Sequence, residues 1–318
     1  TINVNKGTLA VLSGANVTVN NLNLNSSSDN ELIVYQGGSL TITNWFTPNA
    51  DITNYGIINV AALNLNSGCD LENHGTFIVS TNNHSNFNGD VENYGTMTIN
   101  GNAAINGGSE WENYCNVTFG GNLTMNEDVE NYSFIKVTDK WTINGGSKLE
   151  MEDGAMAVCE DLLLNGRIEG EGSTSLFKVL DRSDINGGAQ IKKNIQFCDA
   201  NGIETNWANN LFPNGAAQGC SLVMNTSPCN PEGNGVAVVA DADNDGVADE
   251  LDATVINLSS VNDPDTKTVM NELNKAGNKL ITVEDHQLIG GLGAQLIHAL
   301  TTSRLDYCNS LLYGLPDC

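Results

Sequence analysis

The sequence is poor in basic residues and has no long apolar run, and each shortage excludes a class of protein. Lys and Arg number only 13, against 38 Asp and Glu, so the 318 residues carry a net charge of −25. So few cations cannot neutralise phosphates, which excludes a nucleic-acid partner and favours a divalent cation. No stretch approaches the roughly 18 apolar residues that a membrane span requires, so we expect no membrane span.

Charged residues are also few, at 16% of the chain, whereas Gly and Asn are abundant. This composition favours tightly stacked turns over helices. The eight cysteines are widely spread and include no C-x-x-C pair, which excludes a small disulfide scaffold and the usual zinc spacing. Cys220 and Cys229 are near neighbours in sequence, so they are the candidate pair for a disulfide in an oxidising compartment.

A six-residue motif of the form Asp-x-Glu-Asn-Tyr-Gly recurs through the first half of the chain. Its five copies start 19, 20, 20 and 18 residues apart, at Asp51, Asp70, Asp90, Glu110 and Asp128, and a degenerate sixth copy starts at Lys148. Units of about 20 residues cannot bury an apolar face alone, so they must stack coil upon coil. The repeat therefore predicts an all-β fold, a parallel β-helix or β-solenoid over residues 1–190.

Two segments with alternating apolar residues follow each motif copy, and each is predicted to be a strand. The alternation predicts which side chains form the core. We expect the apolar members of each alternation to point inward. In the first strand these residues are Ile58/Val60, Phe77/Val79, Met97/Ile99, Val117/Phe119, Ile135/Val137 and Met156/Val158. In the second strand they are Leu63/Leu65, Ala103/Ile105, Leu123/Met125, Trp141/Ile143 and Leu162/Leu164.

Three positions of the motif form columns that run from coil to coil. The fourth-position residues are expected to bond one another as a ladder with a step of about 4.8 Å: Asn54, Asn73, Asn93, Asn113 and Asn131. The fifth position predicts an exposed aromatic strip, which either supports neighbouring coils or binds carbohydrate: Tyr55, His74, Tyr94, Tyr114 and Tyr132. The first-position acids favour a solvated face that discourages sideways association, with adventitious calcium as the alternative.

The repeat pattern resembles the β-solenoid stalks and adhesin-like regions of large repetitive bacterial surface proteins, over roughly residues 1–172. The resemblance implies a structural or adhesive segment without catalysis, with surface carbohydrate or other surface proteins as partners. The alternative is a polysaccharide-binding or polysaccharide-degrading β-helix. A lyase of that kind needs a basic residue as its base, yet only Lys136, Lys140 and Lys148 lie between Lys6 and Arg167.

An acidic loop at residues 241–252 carries the sharpest chemical signal in the chain. Carboxylates at loop positions 1, 3 and 5, with Gly at position 6, form the pattern of a Ca²⁺ site. The predicted ligands are Asp241, Asp243, Asp245, the Val247 carbonyl, Asp249 and Asp252. The preceding residues are strand-like, so the loop resembles a thrombospondin type 3 repeat more than an EF-hand. That resemblance implies a calcium-stabilised protein that is extracellular or lies on the cell surface.

The remaining chain divides into three predicted segments. Residues 191–238 form an irregular Cys-containing β segment or cap, residues 239–253 hold the calcium loop, and residues 254–318 form a partly helical tail. Within the tail, Ile281–Leu300 resembles the C-terminal domain of transketolase, and Ser303–Pro316 resembles the reverse transcriptase of non-LTR retrotransposons. The chain lacks the Gly-Asp-Gly and Asp-Asp motifs that these activities need, so the two resemblances suggest a chimeric tail without catalytic function.

Overall fold

The computed structural model describes residues 1–25, 31–224, 229 and 238–240, and these residues form β-strands without any helix. No helix that could cross a membrane is therefore found in this part of the chain. The first fourteen strands are β1 (Ile2–Val4), β2 (Thr8–Val11), β3 (Asn16–Val19), β4 (Leu22–Leu24), β5 (Glu31–Val34), β6 (Ser39–Phe46), β7 (Asp51–Asn54), β8 (Ile57–Leu65), β9 (Asp70–Asn73), β10 (Thr76–Val79), β11 (Ser85–Phe87), β12 (Asp90–Asn93), β13 (Thr96–Ile99) and β14 (Ala103–Ile105). The others are β15 (Trp111–Asn113), β16 (Asn116–Phe119), β17 (Leu123–Met125), β18 (Val129–Asn131), β19 (Phe134–Ile143), β20 (Lys148–Glu152), β21 (Met156–Leu164), β22 (Arg167–Ile185), β23 (Gln190–Asp199), β24 (Thr205–Asn206), β25 (Ala217–Gln218), β26 (Leu222–Met224) and β27 (Val238–Ala240).

The chain winds into a parallel β-solenoid of about 11 turns, spaced about 20 residues apart. Each coil contributes a strand to each of three faces, and each strand pairs in parallel with its equivalent in the next coil. The motif face contains β2, β5, β7, β9, β12, β15, β18, β20 and the opening residues of β22 and β23. The second face runs from β3 through β6, β8, β10, β13, β16, β19, β21, β22 and β23 to β25. The third face contains β11, β14, β17 and β24. It also contains the closing residues of the long strands β6, β8, β19, β21 and β22. The predicted architecture is confirmed.

The inward columns predicted from alternation are confirmed in all but one coil. Every predicted inward residue from Ile58 to Val137, and every one in the third-face strands, is at most 1% exposed. These apolar side chains fill one continuous core along the solenoid axis. Burial of apolar area at about 25 cal/mol per Å² is the main stabilising contribution to such a stack.

The prediction for Met156 and Val158 is wrong. Ala157 and Cys159 pair with the inward Ile135 and Val137 of the preceding coil and enter the core instead. The cause is a longer turn after β20, where Asp153 and Gly154 adopt positive φ values of 40° and 78°. The turn shifts the following strand by one position relative to the expected phase, so Met156 and Val158 occupy outward positions on the second face.

Glycine at the sixth motif position permits the turns to stack closely. A Cβ atom on Gly75 would lie 2.1 Å from the Gly56 carbonyl oxygen, and one on Gly95 would lie 2.2 Å from the Gly75 carbonyl oxygen. No side chain fits at such distances. The fourth and fifth motif copies depart from this rule, with Cys115 and Ser133 in place of glycine.

The C-terminal end of the solenoid is covered by its own chain. Parallel pairing continues beyond residue 190, as far as β25 against β23. Leu211, which is 5% exposed, then joins the main core, and the ring of Phe212 lies 6.0 Å from that of Phe197. These contacts close the apolar interior at this end.

Candidate functional site

The outer surface of the motif face is the most regular surface of the described chain. Because side chains alternate along a strand, the second and fourth motif positions enter the core and the first, third and fifth face outward. The copies stay in register, with Asp70 opposite Asp90 and Glu72 opposite Glu92. Two acidic columns and one aromatic column therefore run side by side along the solenoid.

The Asn ladder lies directly beneath this surface and holds its register. Successive side-chain amides donate to the next Asn Oδ1 at 2.7, 2.7, 2.8 and 2.9 Å from Asn54 to Asn131, and all five residues are fully buried. Asn93 Nδ2 also donates to the backbone oxygens of Gly95 and Asn116 at 3.0 and 3.2 Å. The predicted ladder is confirmed. It ends where Met151 takes the equivalent position opposite Asn131.

The aromatic strip is also present and is a continuous stack of five rings. Neighbouring ring centroids are 4.8, 4.9, 4.6 and 4.4 Å apart from Tyr55 to Tyr132, and the ring planes lie within 12° of parallel. Stacking at this spacing covers the ring faces and leaves only ring edges toward solvent. The geometry accounts for support between coils, whereas flat stacking of a sugar on a ring face is restricted to the two ends of the strip.

Four of the five rings in the strip are tethered to the acid two residues before them, whereas Tyr55 follows Thr53. The Tyr94 hydroxyl donates to Glu92 at 2.9 Å, the Tyr132 hydroxyl donates to Glu130 at 2.9 Å, and the His74 Nε2 atom lies 2.7 Å from Glu72. Burial and the hydrogen bond to Glu92 raise the pKa of Tyr94 well above its ordinary value. The hydroxyls of Tyr94, Tyr114 and Tyr132 therefore remain protonated donors at neutral pH.

The first-position acids bind the backbone of the next coil. Asp51 accepts from the Asp70 backbone N–H at 3.1 Å, and Asp90 accepts from the Glu110 N–H at 2.7 Å. A shallow depression of about 450 Å³ lies over these columns and is lined by Asp70, Leu71, Glu72, Asp90, Val91, Glu92, Glu110 and Glu112. The carboxylates of Asp51, Asp90 and Asp128 serve as backbone acceptors, which gives these first-position acids a structural role.

Burial, together with crowding of like charge, raises the pKa of two carboxyl groups in this depression. Burial, followed by repulsion from Asp51 and Asp90, raises the pKa of Asp70. Burial, followed by repulsion from Glu130 and Glu92, raises the pKa of Glu112. The motif face thus resists full ionisation, although its carboxylates are spaced along the coils rather than converging in pairs.

The six predicted calcium ligands, from Asp241 to Asp252, lie outside the described residues, so their arrangement is not part of the fold described above. Within the described residues, no group of three or more His, Cys, Asp and Glu side chains is placed to hold a metal ion. The calcium loop stays a prediction from sequence.

The predicted pairing of Cys220 with Cys229 is wrong. Cys115 forms a disulfide with Cys229, and Cys198 forms a disulfide with Cys220. Proximity in sequence is a poor guide here because the chain turns back along the second face after β25. The sequence does hold a signal for the first bridge, since Cys115 replaces the glycine that three preceding motif copies carry at that position.

Comparison with known proteins finds one family and no individual relative. Neither the curated proteins nor the solved structures contain a match to this chain. Residues 232–312 match the family model of the transketolase C-terminal domain, a range that covers about a quarter of the chain and lies almost wholly outside the described residues. The matched range contains both the acidic loop and the segment Ile281–Leu300. The chain therefore combines a β-solenoid with a region similar to the transketolase C-terminal domain.

Proposed function

We propose that this protein is a structural or adhesive segment of a secreted or cell-surface bacterial protein. The observation that carries the proposal is the regularity of the motif face, where three outward columns continue from Asp51 to Tyr132 with replacements only at Thr53 and His74. An active site requires a particular set of groups at one place, so we expect it to interrupt a repeat of the sequence. A surface that repeats with so few changes from coil to coil suits a spacer or an extended contact surface.

The two disulfides support a location outside the cytosol. Cys115–Cys229 and Cys198–Cys220 join residues 114 and 22 positions apart and are not arranged as a C-x-x-C redox pair. Structural bridges of this kind form and persist in oxidising compartments. The acidic surface, with a net charge of −25 over the chain, suits an environment that contains millimolar calcium.

Calcium binding by the acidic loop is the first test of this proposal. Titration calorimetry of the full chain should show one site with a Kd of about 10⁻⁴ to 10⁻³ M, as in extracellular modules. The double variant Asp243→Asn/Asp245→Asn should lose this binding, whereas Asp263→Asn, which lies outside the loop, should keep it. Equal calcium binding by all three proteins would show that the loop is not the site.

Adhesion and catalysis are separated by two further measurements. A glycan array probed with and without EDTA distinguishes an adhesive protein from a pure spacer. A reducing-end assay on pectin-like polymers should show no product, because only Lys136, Lys140 and Lys148 lie between Lys6 and Arg167 to serve as the base of a lyase. Release of reducing ends by the purified chain, and not by a heat-denatured sample, would replace the structural proposal with an enzymatic one.

Carbohydrate binding is the second candidate, and the aromatic strip is the feature that favours it. Because stacking covers the inner rings, binding would require ring edges and the Tyr–Glu pairs rather than ring faces. Replacing Tyr94 with Leu should abolish glycan retention if the strip is the contact surface. Replacing Tyr35, an exposed tyrosine outside the stack, is the matched control.

A further inference from the structure

The Cys115–Cys229 bridge encloses most of the C-terminal half of the solenoid. It joins residues 114 positions apart, and the second bridge, Cys198–Cys220, with a separation of 22, lies wholly inside that loop. Every second-face strand from β16 to β25 falls between the two ends of the outer bridge. The covalent path from one end of the chain to the other therefore has a shortcut past these strands.

The segment that carries Cys220 is seated on the outer surface of the second face. The Gln196 side chain donates to Ser221 Oγ at 2.7 Å and accepts from the Leu222 backbone N–H at 2.9 Å. Leu222 packs against a separate apolar cluster formed by Met156, Val158, Leu176 and Cys198. These outward apolar residues explain why the chain lies against the solenoid here, since an uncovered apolar patch is unfavourable.

We propose that the Cys115–Cys229 bridge is a mechanical clasp that removes the coils between residues 115 and 229 from the load-bearing path. Tension applied at the two ends passes from Cys115 directly to Cys229 through the sulfur–sulfur bond. The enclosed coils then carry no load, whereas the coils before Cys115 do. This inference deepens the structural role proposed above, because a spacer under tension benefits from a part that cannot be extended.

The clasp opens by reduction. A small dithiol attacks one sulfur of the bridge, forms a mixed disulfide and then closes on itself, so the dithiol is oxidised and two cysteine thiols are formed with two electrons and two protons. Cys115 is 3% exposed, whereas Cys229 is half-buried, so Cys229 is the more accessible sulfur. In the inner bridge, Cys220 is exposed and its partner Cys198 is buried.

Force spectroscopy on the full chain, held by its two ends, tests the clasp by length. At roughly 3.3–3.6 Å per residue, the reduced protein should extend about 380–410 Å further than the oxidised protein, because 114 residues join the path. The oxidised double variant Cys115→Ser/Cys229→Ser should extend about 300–330 Å further, since the inner bridge still withholds 22 of those residues. Cys198→Ser/Cys220→Ser is the matched control and should show the wild-type length.

Thiol labelling under tension tests whether the enclosed coils stay folded. Cys69 and Cys159 are both buried free thiols, but Cys69 lies before the clasp and Cys159 lies within it. In an oxidised sample stretched in a hydrogel, a maleimide should label Cys69 and spare Cys159, as read by peptide mass mapping. In the Cys115→Ser/Cys229→Ser variant both should be labelled.

Two results would overturn the clasp. One is a wild-type extension that does not change on reduction, and the other is equal labelling of Cys69 and Cys159 in stretched, oxidised protein. Neither measurement depends on calcium or on a glycan ligand. Failure of the clasp is therefore distinguishable from failure of the proposed adhesive role.

Discussion

At the residue scale, asparagine forms the same side-chain ladder in two settings, one buried and one exposed to water. Asn93 is fully buried, accepts from Asn73 and donates to Asn113 and to two backbone oxygens. Asn126, in an outer column, accepts from Asn144 at 2.7 Å and donates to Asn106 at 3.1 Å while exposed to water. The same ladder bond should matter more where water cannot replace it.

We therefore expect Asn93→Ala to lower the free energy of unfolding by about 2–4 kcal/mol, because it leaves buried partners unsatisfied. Asn126→Ala should cost less than about 1 kcal/mol, because water satisfies its former partners. Urea denaturation followed by circular dichroism measures both. Equal losses for the two variants would contradict a special role for the buried ladder.

At the element scale, the motif face balances stacking against charge repulsion. Strands β7, β9, β12, β15 and β18 place acids one above another, while the rings between Tyr55 and Tyr132 stack and the Asn ladder binds beneath them. The raised pKa values of Asp70 and Glu112 show that ionisation of this face opposes folding. Stability should thus depend on pH in the direction opposite to that of a salt-bridged protein.

Mild acidification from neutral pH should raise the melting temperature. The folded-state pKa values of Asp70 and Glu112 lie above the unfolded value of about 4, so between these values the folded state binds more protons and stability falls as pH rises. Thermal melts from pH 7 down to about pH 4, the unfolded value, measure the effect, and Asp70→Asn should flatten the profile. Added salt at pH 7 should give part of the same gain by screening. A profile that is unchanged in Asp70→Asn/Glu112→Gln would assign the pH dependence to other groups.

At the scale of the whole molecule, the Cys115–Cys229 disulfide joins a coil in the middle of the solenoid to the segment that follows the last coil. Stability in a solenoid is approximately a sum over coils and their interfaces, so distant coils are coupled weakly. The bridge from Cys115 to Cys229 adds a covalent connection across several coils, and Leu222 adds an apolar contact along the same surface. This connection gives the C-terminal half a cooperativity that the repeat alone does not supply.

Removing the outer bridge should therefore cost more stability than removing the inner one. In the chain-entropy description, a loop of 114 residues is worth roughly 5 kcal/mol and one of 22 residues roughly 3 kcal/mol. Urea denaturation of the two double serine variants, Cys115→Ser/Cys229→Ser and Cys198→Ser/Cys220→Ser, compares them directly. A larger loss for the inner pair would indicate that local packing around Cys198, rather than loop closure, sets the contribution.

The sequence by itself determined the coil, its three faces and most of its interior. The coil follows from the repeat of about 20 residues, and the interior follows from the alternation of apolar residues within each strand. Ile58 to Val137 and the ladder from Asn54 to Asn131 were therefore predictable from spacing. Where a turn lengthens, as at Asp153 and Gly154, the period is lost and the phase of Met156 was not predictable.

Only the tertiary structure decided the disulfide partners and the seating of Leu222 on the second face. Cys115 and Cys229 are 114 residues apart, and the local sequence around each cysteine does not predict which distant residue it will contact. The covered ring faces of the aromatic strip are a similar case, since five aromatic residues in register are compatible with stacking or with separate exposure. The distance between coils settles this, because parallel strands about 4.8 Å apart bring rings at equivalent positions into contact.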